Sequence, residues 1–256
     1  MSDWNPQNYL KFKKERTQPS IDLLNRITFD DPKNIIDIGC GPGNSTAVLK
    51  GRYPDANIIG ADFSPNMIEK AKKDYPDIDF ILFDATKDFD KLTGKFDIVF
   101  SNACIQWVPN HNVLLKNMMG VLNLGGVLAV QVPNQAEMPI NHIVENIVKS
   151  DKWKDKFCNK RNFYNLAEEE YFNLLSDISS DFSIWKTVYF HRLPSQESII
   201  EWYRATGLRP YLEKLDDADK NEFEQDVLAR IKEEYPTQGN GEVIFRFSRL
   251  FFTAIK

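Results

Sequence analysis

Three glycines at alternate positions, Gly39, Gly41 and Gly43, follow directly on Ile35-Ile36-Asp37-Ile38 and lead into Asn44-Ser45-Thr46-Ala47-Val48-Leu49. Glycine at this spacing lets the backbone close on a ligand, because a side chain would block the approach and because such turns often need positive φ. A helix that starts right after the turn aims its free N–H groups and positive dipole end at the same place. The chemistry on offer is therefore the holding of a nucleotide-like ligand. A P-loop would end in Gly-Lys-Ser/Thr, and Asn44-Ser45 supplies no lysine. A dinucleotide turn runs G-x-G-x-x-G, one residue longer than the turn here. Asp37, an acid inside the strand, also suits a positively charged ligand better than a pyrophosphate. Both points count against an NAD(P)-dependent oxidoreductase, the competing enzyme class.

The elements that must position this turn follow from the alternation of apolar runs and caps. Lys33–Ile38 reads as a first strand and Ser45–Arg52 as its helix; Asn57–Asp62 is a second strand. Ser64-Pro65 gives an N-cap with proline at the first helical position, followed by an amphipathic helix over Met67–Tyr75. Ile78–Phe83, Phe96–Ser101 and the run 127–132 after Gly125-Gly126 are further strands, with a helix at Val113–Leu122. Strands this apolar are covered on both faces, which predicts an α/β three-layer fold with a mostly parallel sheet. After Pro133 the rhythm changes. Helices are expected at Ile140–Lys149, Ala167–Asp177, Gln196–Ala205 and from Asp216 to Glu234, with strands at Ser183–Arg192 and Glu242–Ile255. We read residues 134–180 and 195–235 as helical cap insertions at the sheet rim of a single domain spanning 1–256. Residues 1–30 are an aromatic, polar arm whose helix, Leu10–Asn25, is expected to break near Pro19.

The 256 residues, 42% hydrophobic and 27% charged, suffice for one large core with a modest cap. A formal charge of −5 argues against non-specific binding to nucleic acid or an acidic membrane. The three cysteines, Cys40, Cys104 and Cys158, have no metal-ligand spacing and read as free thiols of a reducing compartment. With no apolar leader or membrane-length run, the expectation is a cytoplasmic protein, a monomer or weak dimer. No metal is expected: His111, His142 and His191 form no ligand motif.

Asp37-Ile38-Gly39-Cys40-Gly41-Pro42-Gly43-Asn44, with Asp62, Asp84 and the Gly125-Gly126 entry to strand five, resembles the class I S-adenosylmethionine-dependent methyltransferases. The resemblance implies a Rossmann-like seven-stranded sheet whose last strand is antiparallel, with S-adenosylmethionine as cofactor. In such a sheet the ligand sits outside the carboxyl ends of the strands, at the switch point. It implies that Gly39, Cys40, Gly41, Gly43 and Asn44 line the cofactor with Asp37 behind them. Asp62 would hold the ribose hydroxyls with Phe63 and Met67 nearby, Asp84-Ala85 would meet the adenine, and Asn102, Ala103 and Trp107 the methionine end. A catalytically silent module is disfavoured because Gly39, Gly41, Gly43 and Asp62 are all intact.

A narrower resemblance runs through Ser2-Asp3-Trp4-Asn5-Pro6, Glu15-Arg16, residues 40–46, Gln106-Trp107, residues 126–131 and 205–210. It is similar to the members of that family that methylate a carboxylate of a small tricarboxylic acid; another small carboxylic acid is the alternative. A carboxylate is already ionised at pH 7 and is itself the nucleophile, so no catalytic side chain is expected, only positioning. The substrate would need cations and walls. The candidates are Tyr9, Arg16, Gln106, Trp107, His191, Trp202, Arg209 and Arg249, with Arg192, Arg204 and Arg246 as further arginines and Tyr189 and Tyr203 as further walls. Arg209 and Arg249 are the leading pair, since planar guanidinium forks suit carboxylates. The arm would close over the cofactor and exclude water. A deletion of residues 1–18 is then expected to abolish turnover while the remainder melts cooperatively; normal turnover of the truncated enzyme would refute the lid.

Overall fold

A computed structural model describes residues 13–157, 163–204 and 206–256. In chain order these residues form α1 (Lys13–Leu24), β1 (Asn34–Ile38), α2 (Asn44–Arg52), β2 (Asn57–Asp62), α3 (Pro65–Asp74) and β3 (Asp79–Leu82). They continue with β4 (Phe96–Asn102), α4 (His111–Gly120), β5 (Leu122–Pro133), α5 (Pro139–Val148), α6 (Glu168–Ile178) and β6 (Phe182–Leu193). The chain ends with α7 (Glu197–Arg204), the short α8 (Arg209–Leu212), α9 (Asp217–Glu234) and β7 (Val243–Ile255). The strands make one seven-stranded sheet in the order β3-β2-β1-β4-β5-β7-β6. β1 pairs in parallel with β2 and β4, and β7 lies antiparallel to β5, with Gln131 opposite Phe251 and Pro133 opposite Arg249. The expected sheet with its antiparallel last strand is thus present, and Val243–Ile255 forms one long strand.

The described residues fall into two compact units. The first contains the described residues up to Pro133, Phe163–Thr187 and Arg249–Lys256; the second contains those of 134–162 and 188–248. The second unit does not coincide with the expected cap segments 134–180 and 195–235. Residues 163–187, α6 included, belong to the sheet unit, because Tyr171 and Leu175 of α6 are fully buried in the core formed by Ile36, Val99, Leu128, Val130 and Phe252. Strands β6 and β7 each pass from one unit into the other.

In the second unit α5 and α9 pack together. Its core is aromatic: Trp153 meets Phe223 edge-on at 5.2 Å, and Trp153 Nε1–H donates to Asp226 at 2.8 Å. Among the described residues no helix is long and apolar enough to cross a membrane.

The arm departs from expectation at Pro19, which lies inside an unbroken α1. Packing outweighs the lost backbone hydrogen bond: Leu23 and Leu24 are buried, and α1 packs on α2 and β5. A truncation at residue 18 would cut this helix in half, so the lid test is cleaner with residues 1–12 removed. Tyr9 and the first half of the proposed lid lie outside the described residues.

At the end of β1, Gly39 has φ +78°, and a Cβ there would stand 2.2 Å from both Cβ and Sγ of Cys104. Steric overlap and the left-handed backbone both exclude a side chain. Gly39→Ala is expected to destabilise the sheet unit by about 2–4 kcal/mol. Urea denaturation measures it, and a wild-type midpoint would mean that β4 yields without cost.

Candidate functional site

The chain passes from β1 to β2 and β3 on one side, and returns through β4 and β5 on the other. The carboxyl ends of β1 and β4 therefore flank the crevice where such sheets receive ligands. Ser101 Oγ donates to the Ile38 carbonyl at 2.8 Å and pins the two ends together.

Asp37, fully buried in β1, organises the turn from below. Its Oδ2 accepts from Ser45 Oγ at 2.6 Å and Thr46 Oγ1 at 2.7 Å, so the first turn of α2 is tied to the strand it follows. Its Oδ1 is buried without a hydrogen-bond partner. Burial outweighs the two hydroxyls and raises its pKa from the ordinary 3.8 to about 6. Asp37 thus acts through the turn, its carboxylate turned onto the helix.

Above it, Asp62 at the end of β2 accepts from Gly41 N–H at 2.9 Å through Oδ2 and from Ser64 N–H at 2.9 Å through Oδ1. One carboxylate thereby sets the distance between the glycine turn and the start of α3. Gly41 has φ +55°, and nothing lies within 4 Å of where its Cβ would project. That open space, the uncapped N-terminus of α2 at Gly43, and the 68% exposed ring of Phe63 beside Asp62 fit an adenosine-bearing cation. Asn44, the first residue of α2, keeps a buried Nδ2 without a partner.

Other residues contribute differently from the sequence reading. Cys40 turns its thiol into an apolar cluster with Ile68, Ala71 and Phe80, leaving its backbone for the turn. Met67 is buried, and its N–H donates to Ser64 Oγ at 3.2 Å as part of the α3 cap. Asp84 spends its carboxylate on Thr86 N–H, Thr86 Oγ1 and Lys87, contacts that hold its pKa below the ordinary value against a burial that raises it. Ala85 follows it, half-buried.

At the end of β4, Ala103 adopts a left-handed φ of +55°, and its N–H donates to Gln131 O at 2.9 Å. Asn102 Oδ1 and Gln106 Oε1 are buried without hydrogen-bond partners, while Gln106 Nε2 donates to Ala103 O at 2.7 Å. Trp107 packs on Phe163 at 4.6 Å. His111 is structural: Nε2–H donates to Ile105 O at 2.9 Å and Nδ1 accepts from Tyr171 OH at 2.8 Å, a neutral ring kept so by burial.

The substrate candidates divide between the units. Arg16, Gln106, Trp107 and Arg249 belong to the sheet unit, and His191, Trp202 and Arg209 to the second. Within the second unit His191 stacks on Trp202 at 4.9 Å, and Arg209 Nε donates to Glu213 at 2.7 Å. Arg192 and Arg204 form two-point pairs with Glu242 and Glu224. In the sheet unit Arg249 is buried, and its Nη1 donates to Gln131 Oε1 at 3.3 Å. Sequence reasoning missed Ser45, Thr46 and Gln131. The first two sit inside the quoted glycine motif, and a buried strand acid needs nearby hydroxyls; Gln131, polar within an apolar strand, was a visible signal passed over.

A methyltransferase-domain family model matches residues 29–189. Trans-aconitate 2-methyltransferase of Enterobacter sp. (strain 638) is 38% identical over 254 residues, covering 99% of this chain and 98% of that protein. The same-named protein of Escherichia coli K12 is 37% identical over the same shares. Among solved structures, a methyltransferase from Bacillus halodurans superposes with a TM-score of 0.62 at 13% identity, over 93% of this chain and 99% of that one. Phosphoethanolamine N-methyltransferase 2 of Haemonchus contortus, solved with S-adenosyl-L-methionine, gives 0.58 at 17% identity over 93% and 52%. The structural likeness shows the fold.

Because Asp37 binds its proton more tightly folded than unfolded, its contribution to stability is fully present below about pH 4 and is lost as pH rises through about 6. Asp37→Asn removes this dependence while keeping an acceptor for the two hydroxyls. The variant is expected to gain on wild type between pH 4 and 7, by on the order of 3 kcal/mol. Denaturation at a series of pH values gives the difference directly, and parallel curves would overturn the assignment.

Proposed function

The chain belongs to the trans-aconitate 2-methyltransferases, class I S-adenosylmethionine-dependent enzymes, and we propose on that premise that it esterifies one carboxylate of trans-aconitate or a closely similar tricarboxylate. The products are the monomethyl ester and S-adenosylhomocysteine. The observation that supports the cofactor assignment best is the Asp62 carboxylate held between the N–H groups of Gly41 and Ser64 at the switch point.

Bound S-adenosylmethionine supplies an electrophilic methyl group on a sulfonium centre. Asp62, held at the end of β2 by Gly41 and Ser64, would receive the ribose hydroxyls, and the exposed Phe63 would offer a flat apolar face beside them. The backbone of Gly39–Gly43 passes close under the ligand because Gly41 leaves that space open. Asn102, Ala103, Gln106 and Trp107 shape the end of β4, where the reacting groups meet. The acid arrives ionised and needs no general base, so the work of the chain is alignment and exclusion of water.

Cations from Arg16 and Arg249 replace the hydration that a tricarboxylate loses. Arg209 is the weaker candidate, because Glu213 already draws on its charge. The free thiols of Cys40 and Cys104 fit a reducing, cytoplasmic setting.

Two measurements test this reading. Asp62→Ala is expected to weaken S-adenosylmethionine binding by roughly 1.5–3 kcal/mol in calorimetry. In steady state, Arg249→Ala should chiefly raise KM for the acid, with a smaller fall in kcat and little change in cofactor affinity; Arg209→Ala should do less. Methyl transfer to a panel of mono-, di- and tricarboxylates identifies the substrate. If folded Asp62→Ala binds the cofactor like wild type, the cofactor assignment is wrong; if no polycarboxylate is methylated, the substrate assignment is.

A further inference from the structure

Gln131 is left without a part in this account, yet it joins two pieces of the site. It stands on β5 opposite Asn102 of β4 and Phe251 of β7, and it is fully buried. Its backbone carbonyl accepts the N–H of Ala103, the residue with left-handed φ at the end of β4. Its side-chain Oε1 accepts from Arg249 Nη1 at 3.3 Å. Arg249 faces Pro133 across the β5–β7 ladder, so Gln131 and Arg249 are diagonal neighbours on one face of the sheet, within reach of two long side chains. The opposite face carries Leu128, Val130, Val132, Leu250 and Phe252 in the apolar core.

The contact fixes the orientation of the carboxamide. A guanidinium only donates, so Oε1 must point at Arg249 and the NH₂ group must point away. That Nε2 is buried and has no acceptor among the described residues. A buried donor without an acceptor is costly to maintain, and at the rim of a ligand crevice an acceptor on the ligand removes the cost.

We propose that Gln131 is a specificity-determining residue for carboxylate recognition. Its Oε1 steers the Arg249 guanidinium, and its Nε2 donates to the carboxylate that this guanidinium binds. The inference rests on the polycarboxylate reading given above. Glutamine suits the task better than glutamate for a plain electrostatic reason. A carboxamide orients a guanidinium without cancelling its charge, whereas a carboxylate would cancel it and repel an incoming anion. The second unit gives examples of guanidinium groups paired with carboxylates: Glu242, Glu224 and Glu213 hold Arg192, Arg204 and Arg209. The buried Arg16 lies on α1, the helix that packs against β5.

The test is steady-state kinetics of full-length Gln131→Glu and Gln131→Met, with acid and S-adenosylmethionine varied separately and cofactor affinity measured by calorimetry. Gln131→Glu is expected to raise KM for the tricarboxylate by about tenfold or more, with a smaller change in kcat and unchanged cofactor affinity. Its melting temperature should hold or rise, because the new carboxylate pairs with Arg249; a merely structural glutamine would lose stability along with activity. Gln131→Met keeps the length and loses both polar atoms, so it should raise KM as well, and it decides the matter if the Glu variant does not fold. Wild-type KM in either folded variant overturns the inference while leaving the function standing. A wild-type enzyme that binds S-adenosylmethionine but methylates no polycarboxylate overturns the reading beneath it.

Discussion

The site depends on a buried acid. Asp37 lies in the middle of the sheet, where an ionised carboxylate is poorly solvated, and two hydroxyls from the first turn of α2 are all the described hydrogen bonding it receives. Those two bonds fix where α2 begins relative to β1. The glycine turn between them is then too short to take any conformation but a tightly curled one with left-handed residues. Asp37 is therefore kept at an energetic cost, because an apolar residue could fill the space but could not hold the helix by its hydroxyls. Its raised pKa records that cost.

On this foundation a second carboxylate, Asp62, works in the opposite sense. It sits at the rim, and backbone N–H groups from two different loops stabilise its charge. These two contacts tie the glycine turn to the start of α3, so one carboxylate sets the geometry of both loops. The rigid frame behind it comes from strand pairing and from the Ser101 hydroxyl bridging β4 to β1.

What was legible in the sequence follows from how local the signal was. The first five strands and the Ser64-Pro65 cap came through because apolar runs and cap residues report on neighbours a few positions away. Long-range contacts did not. α1 survives Pro19 because it is packed on β5, more than a hundred residues away in sequence, and no local rule contains that contact. α6, inside the expected 134–180 cap, reads like any amphipathic helix; only the sheet core it covers decides its unit. At the site, residues within one loop were readable, whereas Gln131 gains its meaning from a strand that arrives near the chain's end. Asp84 and Arg209 were readable as charges but not as charges already engaged.

That last distinction bears on how an acidic chain can receive a polyanion. Long-range attraction is unavailable at a formal charge of −5, so affinity has to come from short-range contacts. Counting arginines near a site says little about this, since a guanidinium matched to a glutamate has much of its field cancelled. What matters is the partner that holds each one in place. A carboxylate partner gives stability and removes charge; a carboxamide gives orientation and leaves charge. In this chain the arginines held by Glu213, Glu224 and Glu242 lie in the second unit, and the one held by Gln131 is buried in the sheet at the end of β5. Glutamine at position 131 thus orients a guanidinium without placing a negative charge beside it, which glutamate, of almost the same shape, would do.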